Sequence, residues 1–338
     1  MLDFGATFLP DPPSQRFVEL VVRAEELGFT HAWTYDSHIL WEEGYVYLTL
    51  AAAATSRIRL GHCVTNPGIR EPTVTASGYA TLQGVSDGRM VLGIGRGDSS
   101  RRVVGLDPVP MGRFESSLEM IKDLMNGREV HWNGRDLHLE WARTEPEIPM
   151  YVAGYGPRAL GVAGRVGDGV VIQLADPEIT RWIIEKARNA AVEAGRDADA
   201  LAPIVCAPAV VDADVSRWRE ETRWFPAMVS NHVKDLIARY GTNGEIPTAL
   251  TDFAQRVQEY DYSEHSRVGA EHGKYISDEI VDRFCLLGDA EQHIAQLREL
   301  EELGVRQVNL YVMTSSIDET IERYGREIIP QFEPSAVV

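Results

Sequence analysis

The sequence predicts an α/β protein, a single-domain (β/α)8 TIM barrel with insertions. Three observations lead there. Short apolar segments alternate with amphipathic helical segments about eight times along the chain. No Gly-x-Gly-x-x-Gly turn with a later acidic partner follows the first strand, so the rival open doubly wound sheet lacks support. The 338 residues exceed the roughly 250 of a bare barrel, which leaves room for insertions within one domain spanning residues 1–338.

The elements follow in order. Residues 2–9 are a short apolar strand. Residues 14–27 place Phe17, Leu20, Val21, Ala24 and Leu27 at the helical period, and Gly28 closes the helix. Strands at 30–35, 58–65, 90–94, 150–153, 169–173 and 203–211 are each followed by helical sequence. Those helices span 45–55, 73–85, 114–125, 157–166, 177–194 and the stretch from 215 onward. Asp289, with Gln292 three residues on, is a capping-box start for a helix reaching Leu303 and Gly304. Residues 307–312 form the eighth strand and 317–329 the last helix. Two segments exceed this plan. Residues 129–143 read as a hairpin around Asn133-Gly134. Residues 224–285, long, polar and aromatic, interrupt the seventh unit and are the candidate lid.

Composition narrows the function classes. Apolar residues are 44% and charged residues 25%, a globular balance that excludes disorder and small disulfide scaffolds. No apolar run approaches the ~20 residues of a membrane span. The opening Met1-Leu2-Asp3-Phe4 lacks the basic and apolar stretches of a signal peptide. Cys63, Cys206 and Cys285 are widely spaced and odd in number, which suits a reducing compartment, so a cytoplasmic protein is expected. Lys and Arg total 33 against 51 Asp and Glu, a formal net charge of −18. Such a surface repels nucleic acid and anionic lipid at long range, so neither is expected as a partner. An anionic ligand then needs local backbone N–H groups or clustered arginines.

A barrel of this kind places its chemistry at the C-terminal ends of its strands. After the second strand come Asp36, Ser37, His38 and Trp41; after the third, Cys63, Val64, Thr65 and Asn66. After the fourth come Gly95, Arg96, Gly97, Asp98, Ser99, Ser100, Arg101 and Arg102. Gly154, Tyr155, Gly156, Pro157 and Arg158 follow the fifth, and Gln173 ends the sixth. The run 154–158 combines two glycines, a proline at a helix start and a cation. It reads as a phosphate seat, and equally as an ordinary turn with proline in the first helical position. No histidines stand at metal-ligand spacing, so no catalytic metal is expected.

These residues carry a resemblance. Leu60-Gly61-His62-Cys63-Val64-Thr65-Asn66-Pro67, Asp87-Gly88-Arg89 and Leu92-Gly93-Ile94-Gly95-Arg96-Gly97-Asp98 resemble the luciferase-like superfamily of flavin- and deazaflavin-dependent oxidoreductases. The similarity is to its deazaflavin branch, which includes methylenetetrahydromethanopterin reductase. Gly288-Asp289 and the segment from Gly304 to Tyr311 match the family's last strand, and only 224–285 falls outside the likeness.

The resemblance implies coenzyme F420 as cofactor, with FMN as the alternative. It implies a non-prolyl cis peptide at Cys63–Val64, forming a bulge behind the cofactor's central ring. Asp36, Cys63, Val64, Thr65, Asn66, Gly95, Gly97, Gly154, Tyr155, Gly156, Pro157, Arg158 and Gln173 become the cofactor-binding candidates. Asp98 corresponds to an acidic residue near the reactive carbon, where a carboxyl in a dry pocket can donate a proton. The family often has a histidine directly after the aspartate of the second strand; this chain has Ser37 there and His38 one position later. Asp98 and His38 are therefore the catalytic candidates. Trp41, Arg96 and Arg101 are the substrate-binding candidates, and His232, His265, His272, Lys274 and Tyr275 are the lid residues. The implied activity is hydride transfer between the deazaflavin C5 and a C=N, C=C or C=O of a small organic substrate. The alternatives are an FMN-dependent monooxygenase and a non-catalytic carrier of a flavin-like ligand. A homodimer is implied as well.

Overall fold

A computed structural model describes residues 2–240, 269, 273 and 275–332. The chain begins with β1 (Asp3–Phe8), α1 (Ser14–Glu26), β2 (His31–Thr34), α2 (Gly44–Ala54), β3 (Arg59–Thr65), α3 (Pro72–Val85) and β4 (Met90–Ile94). It continues through α4 (Ser99–Arg102), α5 (Met111–Met125), the pair β5 (Val130–Trp132) and β6 (Arg135–Leu137), β7 (Met150–Ala153), α6 (Pro157–Val166), β8 (Gly169–Ile172) and α7 (Pro177–Glu193). It ends with β9 (Ala202–Val211), α8 (Ser216–Thr222), α9 (Trp224–Tyr240), α10 (Asp278–Phe284), β10 (Leu286–Gly288), α11 (Ala290–Glu302), β11 (Gln307–Tyr311) and α12 (Ile317–Arg323).

Strands β1, β2, β3, β4, β7, β8, β9 and β11 form the predicted barrel. Every neighbour pair is parallel, and β8 to β9 closes the ring. Closure leaves no strand edge and requires both strand faces to be buried. That is why β8 reads Gly-Val-Val-Ile and β4 Met-Val-Leu-Gly-Ile, runs that are apolar throughout and buried throughout. The hairpin β5–β6 pairs antiparallel, with Asn133 (φ 49°) and Gly134 (φ 75°) in the left-handed turn that this dipeptide favours. The capping box at Asp289 and Gln292 is formed on both sides.

Four differences from the sequence expectation have physical reasons. The turn α4 has only four residues, too few to show a helical period. Strand β10 has three residues and pairs with the end of β9, which at ten residues outruns its neighbours. The last helix stops at Arg323 and widens into a π turn over Tyr324–Ile328, ahead of Pro330 in a closing 3-10 turn. The candidate lid is not an appendage at its start. Trp224, Phe225, Met228, Val229 and Val233 of α9 are buried in the main core. Of the named lid residues, His265, His272 and Lys274 lie outside the described residues.

Arg89 explains the Asp87-Gly88-Arg89 motif. Asp87 and Gly88 both take positive φ, and this turns Arg89 back under the barrel wall. Its Nη2 donates to Ala52 O (2.9 Å) and Thr55 O (3.1 Å) at the end of α2, and its Nη1 donates to Ile58 O at 2.8 Å. Its Nε donates to Ser86 O at the end of α3 (2.6 Å). One guanidinium thus satisfies the open carbonyls of two helix ends. Lysine has a single donor centre and cannot span them. Arg89→Lys is expected to cost about 2–4 kcal/mol, read as a lower urea midpoint at unchanged slope.

Three buried imidazoles set an acid limit. Burial pushes His31 down to about 3 and His62 and His293 down to about 4. Each titrates near 6.5 in an unfolded chain. Between about 6.5 and 4 the unfolded state therefore binds protons that the folded state refuses, so stability is full above that window and declines as pH falls through it. Guanidinium midpoints measured from pH 7.5 to 4.5 are expected to drop steadily below about 6.5. A flat profile contradicts neutral buried rings at these positions.

Candidate active site

The site is built around an irregularity in β3. The Cys63–Val64 peptide is cis, as the resemblance implied, and the pairing of β3 with β4 shifts register between His62 and Thr65. The shift pushes Val64 toward β4, which has glycine where it arrives. A Cβ at Gly93 would stand 2.3 Å from His62 O and 3.2 Å from Val64 Cγ1; one at Gly95 would stand 3.2 Å from Val64 Cγ2. Only a strand without side chains at these two places accepts the bulge. Behind it, Cys63 Sγ lies 3.7 Å from Cys206 Sγ and 3.8 Å from the Tyr311 hydroxyl. All three groups are buried, and burial raises both the Cys206 thiol and the Tyr311 phenol well above their ordinary values.

A single cleft opens over the bulge at the C-terminal mouth of the barrel. Of the sequence candidates, Trp41, Cys63, Val64, Thr65, Asn66, Gly95, Arg96, Gly97, Asp98, Gly154, Tyr155, Gly156, Arg158 and Gln173 line it. Four do not. Asp36 lies beneath the wall, 4% exposed, where its Oδ2 accepts from Thr65 Oγ1 (2.5 Å) and Arg70 Nη1 (2.6 Å). Burial alone would raise this carboxyl, but His62, Arg70 and the Thr65 hydroxyl outweigh it and hold it below the usual range. Asp36 thus braces Thr65 from behind the lining. His38 is exposed, and its neighbours Tyr35 and Ser37 face the cleft instead. Arg101 is a tether: Nε donates to Asp107 O (2.6 Å) and Nη1 to Gly68 O. Pro157 opens α6 behind the lining.

The wall after β4 is held from several directions. Gly97 adopts φ +76°, where a side chain is strained and would meet Asn66 and Arg101. Asn66 donates to Ser100 Oγ (2.9 Å) and accepts from Gly68 N and Ile69 N (3.0 Å each). Arg96 Nε donates to Val109 O at 2.7 Å. Asp98 Oδ1 accepts from Arg102 Nε at 2.7 Å. Across the cleft, the Tyr155 hydroxyl donates to Gln173 Oε1 (3.2 Å), and Gln173 Nε2 donates to the Tyr311 hydroxyl (3.0 Å). At the start of α6, Gly156 is the cap residue and offers no capping side chain, while Arg158 is exposed beside it. Open N–H groups, the positive end of a ten-residue helix and an arginine meet there, which suits an anion.

The far wall comes from α9, through Met228 and His232. The His232 ring stacks on Tyr155 (centroids 5.1 Å apart, 21° between planes), and its Nδ1 faces Asp98 Oδ2 at 3.4 Å. The sequence reading placed His232 only among lid residues. The available clue was its spacing, four residues after Met228, which puts both on one helical face. Tyr275, the other described lid candidate, is 51% exposed and lies outside the lining. Among the described residues, no three His, Cys, Asp or Glu side chains gather as metal ligands do. The arrangement can seat a flat ligand on the bulge, hold an anionic tail at α6 and present a carboxylate and an imidazole to a bound molecule.

Comparison with known proteins finds relatives over nearly the whole chain. The chain is 30% identical over 342 residues to 5,10-methylenetetrahydromethanopterin reductase of Archaeoglobus fulgidus, covering 98% of this chain and 100% of that one. It is 26% identical to the F420-dependent glucose-6-phosphate dehydrogenase of Nakamurella multipartita, over 94% of this chain and 92% of the other. The solved structure of the coenzyme F420-dependent tetrahydromethanopterin reductase from Methanopyrus kandleri superposes with a TM-score of 0.77 at 25% identity, covering 98% and 99% of the two chains. An F420-dependent secondary alcohol dehydrogenase shares the fold, with a TM-score of 0.76 at 21% identity over 97% of this chain and 98% of that one. The family described as luciferase-like monooxygenase matches residues 4–307. With nearly the whole barrel matched, the chain belongs to the luciferase-like monooxygenase family.

Proposed function

We propose that this protein is a coenzyme F420-dependent oxidoreductase acting on a C=N, C=C or C=O of a small organic molecule. The supporting observation is one cleft that unites three things: the Val64 bulge, the open wall at Gly95 and Gly97, and the uncapped α6 N-terminus beside Arg158. A flat ring with an anionic tail matches that set of contacts, and the likeness to F420-dependent relatives favours a deazaflavin. When bound, the deazaflavin supplies or accepts a hydride at C5. The protein's share is binding and orientation. Val64 supports the ring, and the α6 N–H groups with Arg158 hold the tail. Trp41, Met111 and Met228 line the cleft and exclude water. Asp98 stands at the mouth, where the accompanying proton is handled.

Fluorescence quenching tests the cofactor. Purified protein is expected to quench F420 and to bind FMN far more weakly. Tight FMN binding without F420 binding overturns the reading and favours a flavin monooxygenase. Arg158→Ala is expected to weaken F420 binding about tenfold at unchanged melting temperature, since it removes one charge-assisted anion contact.

We also propose that the protein works as a homodimer through α2 and α3. Helix α2 (GYVYLTLAAAA) is apolar almost all round, yet Val46 is 55% and Leu50 41% exposed. Neighbouring α3 exposes Val74 (56%) and Val85 (48%). A helix that is apolar on its outer side needs a cover, and a second copy supplies the same face symmetrically. Sedimentation is expected to show a dimer that Leu50→Glu, alone or with Val46→Glu, converts to a folded monomer.

A further inference from the structure

We propose that His232, oriented by Asp98, is the group that moves the proton in this cleft. The inference rests on the oxidoreductase reading above and deepens it. On the β2 side the cleft wall carries Ser37, while His38 is exposed and absent from the lining. The imidazole that reaches the cleft comes from α9 on the opposite side. Its side chain is 19% exposed, against 21% for Asp98 and 22% for Arg102. All three are therefore partly dry and still reachable from the mouth.

Two contacts fix the ring. Stacking on Tyr155 sets its plane, and Asp98 Oδ2 facing Nδ1 at 3.4 Å selects the nitrogen turned toward the carboxylate. A carboxylate in that position favours the Nδ1–H tautomer. The other carboxylate oxygen, Oδ1, is held by Arg102 Nε at 2.7 Å. Asp98 is thus held at Oδ1 and turned toward the ring at Oδ2, as a positioning residue, and Nε2 of His232 is the atom left to exchange a proton with a substrate. In the reducing direction the substrate carbon gains a hydride from the reduced deazaflavin. The adjoining N, O or C takes the Nε2 proton of the doubly protonated ring, which returns to its Nδ1–H form, so C=X becomes H–C–X–H. His232 then recovers a proton from solvent. In the oxidising direction Nε2 accepts the proton as the hydride leaves.

Three variants test this with F420 as cofactor and a cyclic imine and a methyl ketone as probes. His232→Phe keeps a ring on Tyr155 but carries no proton. Its kcat is expected to fall about 100-fold or more, while F420 quenching changes less than about twofold. In His232→Ala, added imidazole is expected to restore part of the rate, which a purely structural role does not permit. Asp98→Asn is expected to lower kcat with little change in KM. Nitrogen-15 NMR of the histidine rings reads the pair without any substrate: His232 is expected in the Nδ1–H form, and Asp98→Asn is expected to shift that balance. Unchanged kcat in His232→Phe, loss of cofactor binding with no imidazole rescue, or a His232 tautomer indifferent to Asp98→Asn overturns the proposal. Wild-type protein that fails to bind F420 ends the functional reading instead, and the NMR result still decides the pair.

Discussion

The interlock between β3 and β4 is the constraint on which the site depends. A strand that gains a bulge must push a side chain somewhere, and here Val64 moves into space that Gly93 and Gly95 leave empty. The two strands therefore specify each other: the irregularity on one is permitted by missing Cβ atoms on the other. The same bulge forms the cleft floor, so the packing that closes the barrel also shapes the surface a ligand meets. Side chains at Gly93 and Gly95 would act on both at once, by crowding the barrel wall and by flattening the floor.

Around this floor, polar side chains spend their hydrogen bonds on the loops. Asp36 ties Thr65 to Arg70, Asn66 ties its own loop to Ser100, and Arg96 pins the backbone at Val109. The first two join the segment after one strand to that after the next, and the third holds the connection after β4 onto itself. Loops are the natural carriers of chemistry because they vary freely, yet a site needs its groups held to a fraction of an ångström. The ties reconcile these demands. They also explain why several residues that look chemically active in the sequence turn out to be supports. An aspartate or arginine can serve a ligand or a loop, and the choice depends on what the fold places beside it.

Charge shows the same division between global and local. The chain as a whole carries −18, which disfavours polyanions at long range. The α6 N-terminus and Arg158 make one small region of opposite character at the cleft. A compact anion on a ring-shaped ligand meets that region directly, whereas an extended polyanion meets the acidic surface around it.

Much of the architecture was legible in the chain. All eight barrel strands, the Asn133-Gly134 hairpin and the capping box at Asp289 follow from local rules of periodicity and turn chemistry, which act within a few residues. The cis peptide at Cys63–Val64 was legible through family likeness, since no local propensity announces it. The glycine-lined ends of β4 and β7 were also visible, because glycine density marks close approach. What the sequence could not decide was direction. Whether Asp36 points into the cleft or under its wall, and whether His38 or Ser37 faces inward, depends on how a loop turns after its strand. The meeting of Asp98 with His232 joins a turn after β4 to a helix 134 positions later in the chain, at 3.4 Å. No spacing rule spans that separation. Only closure of the barrel, with α9 buried against its core, brings the two side chains together.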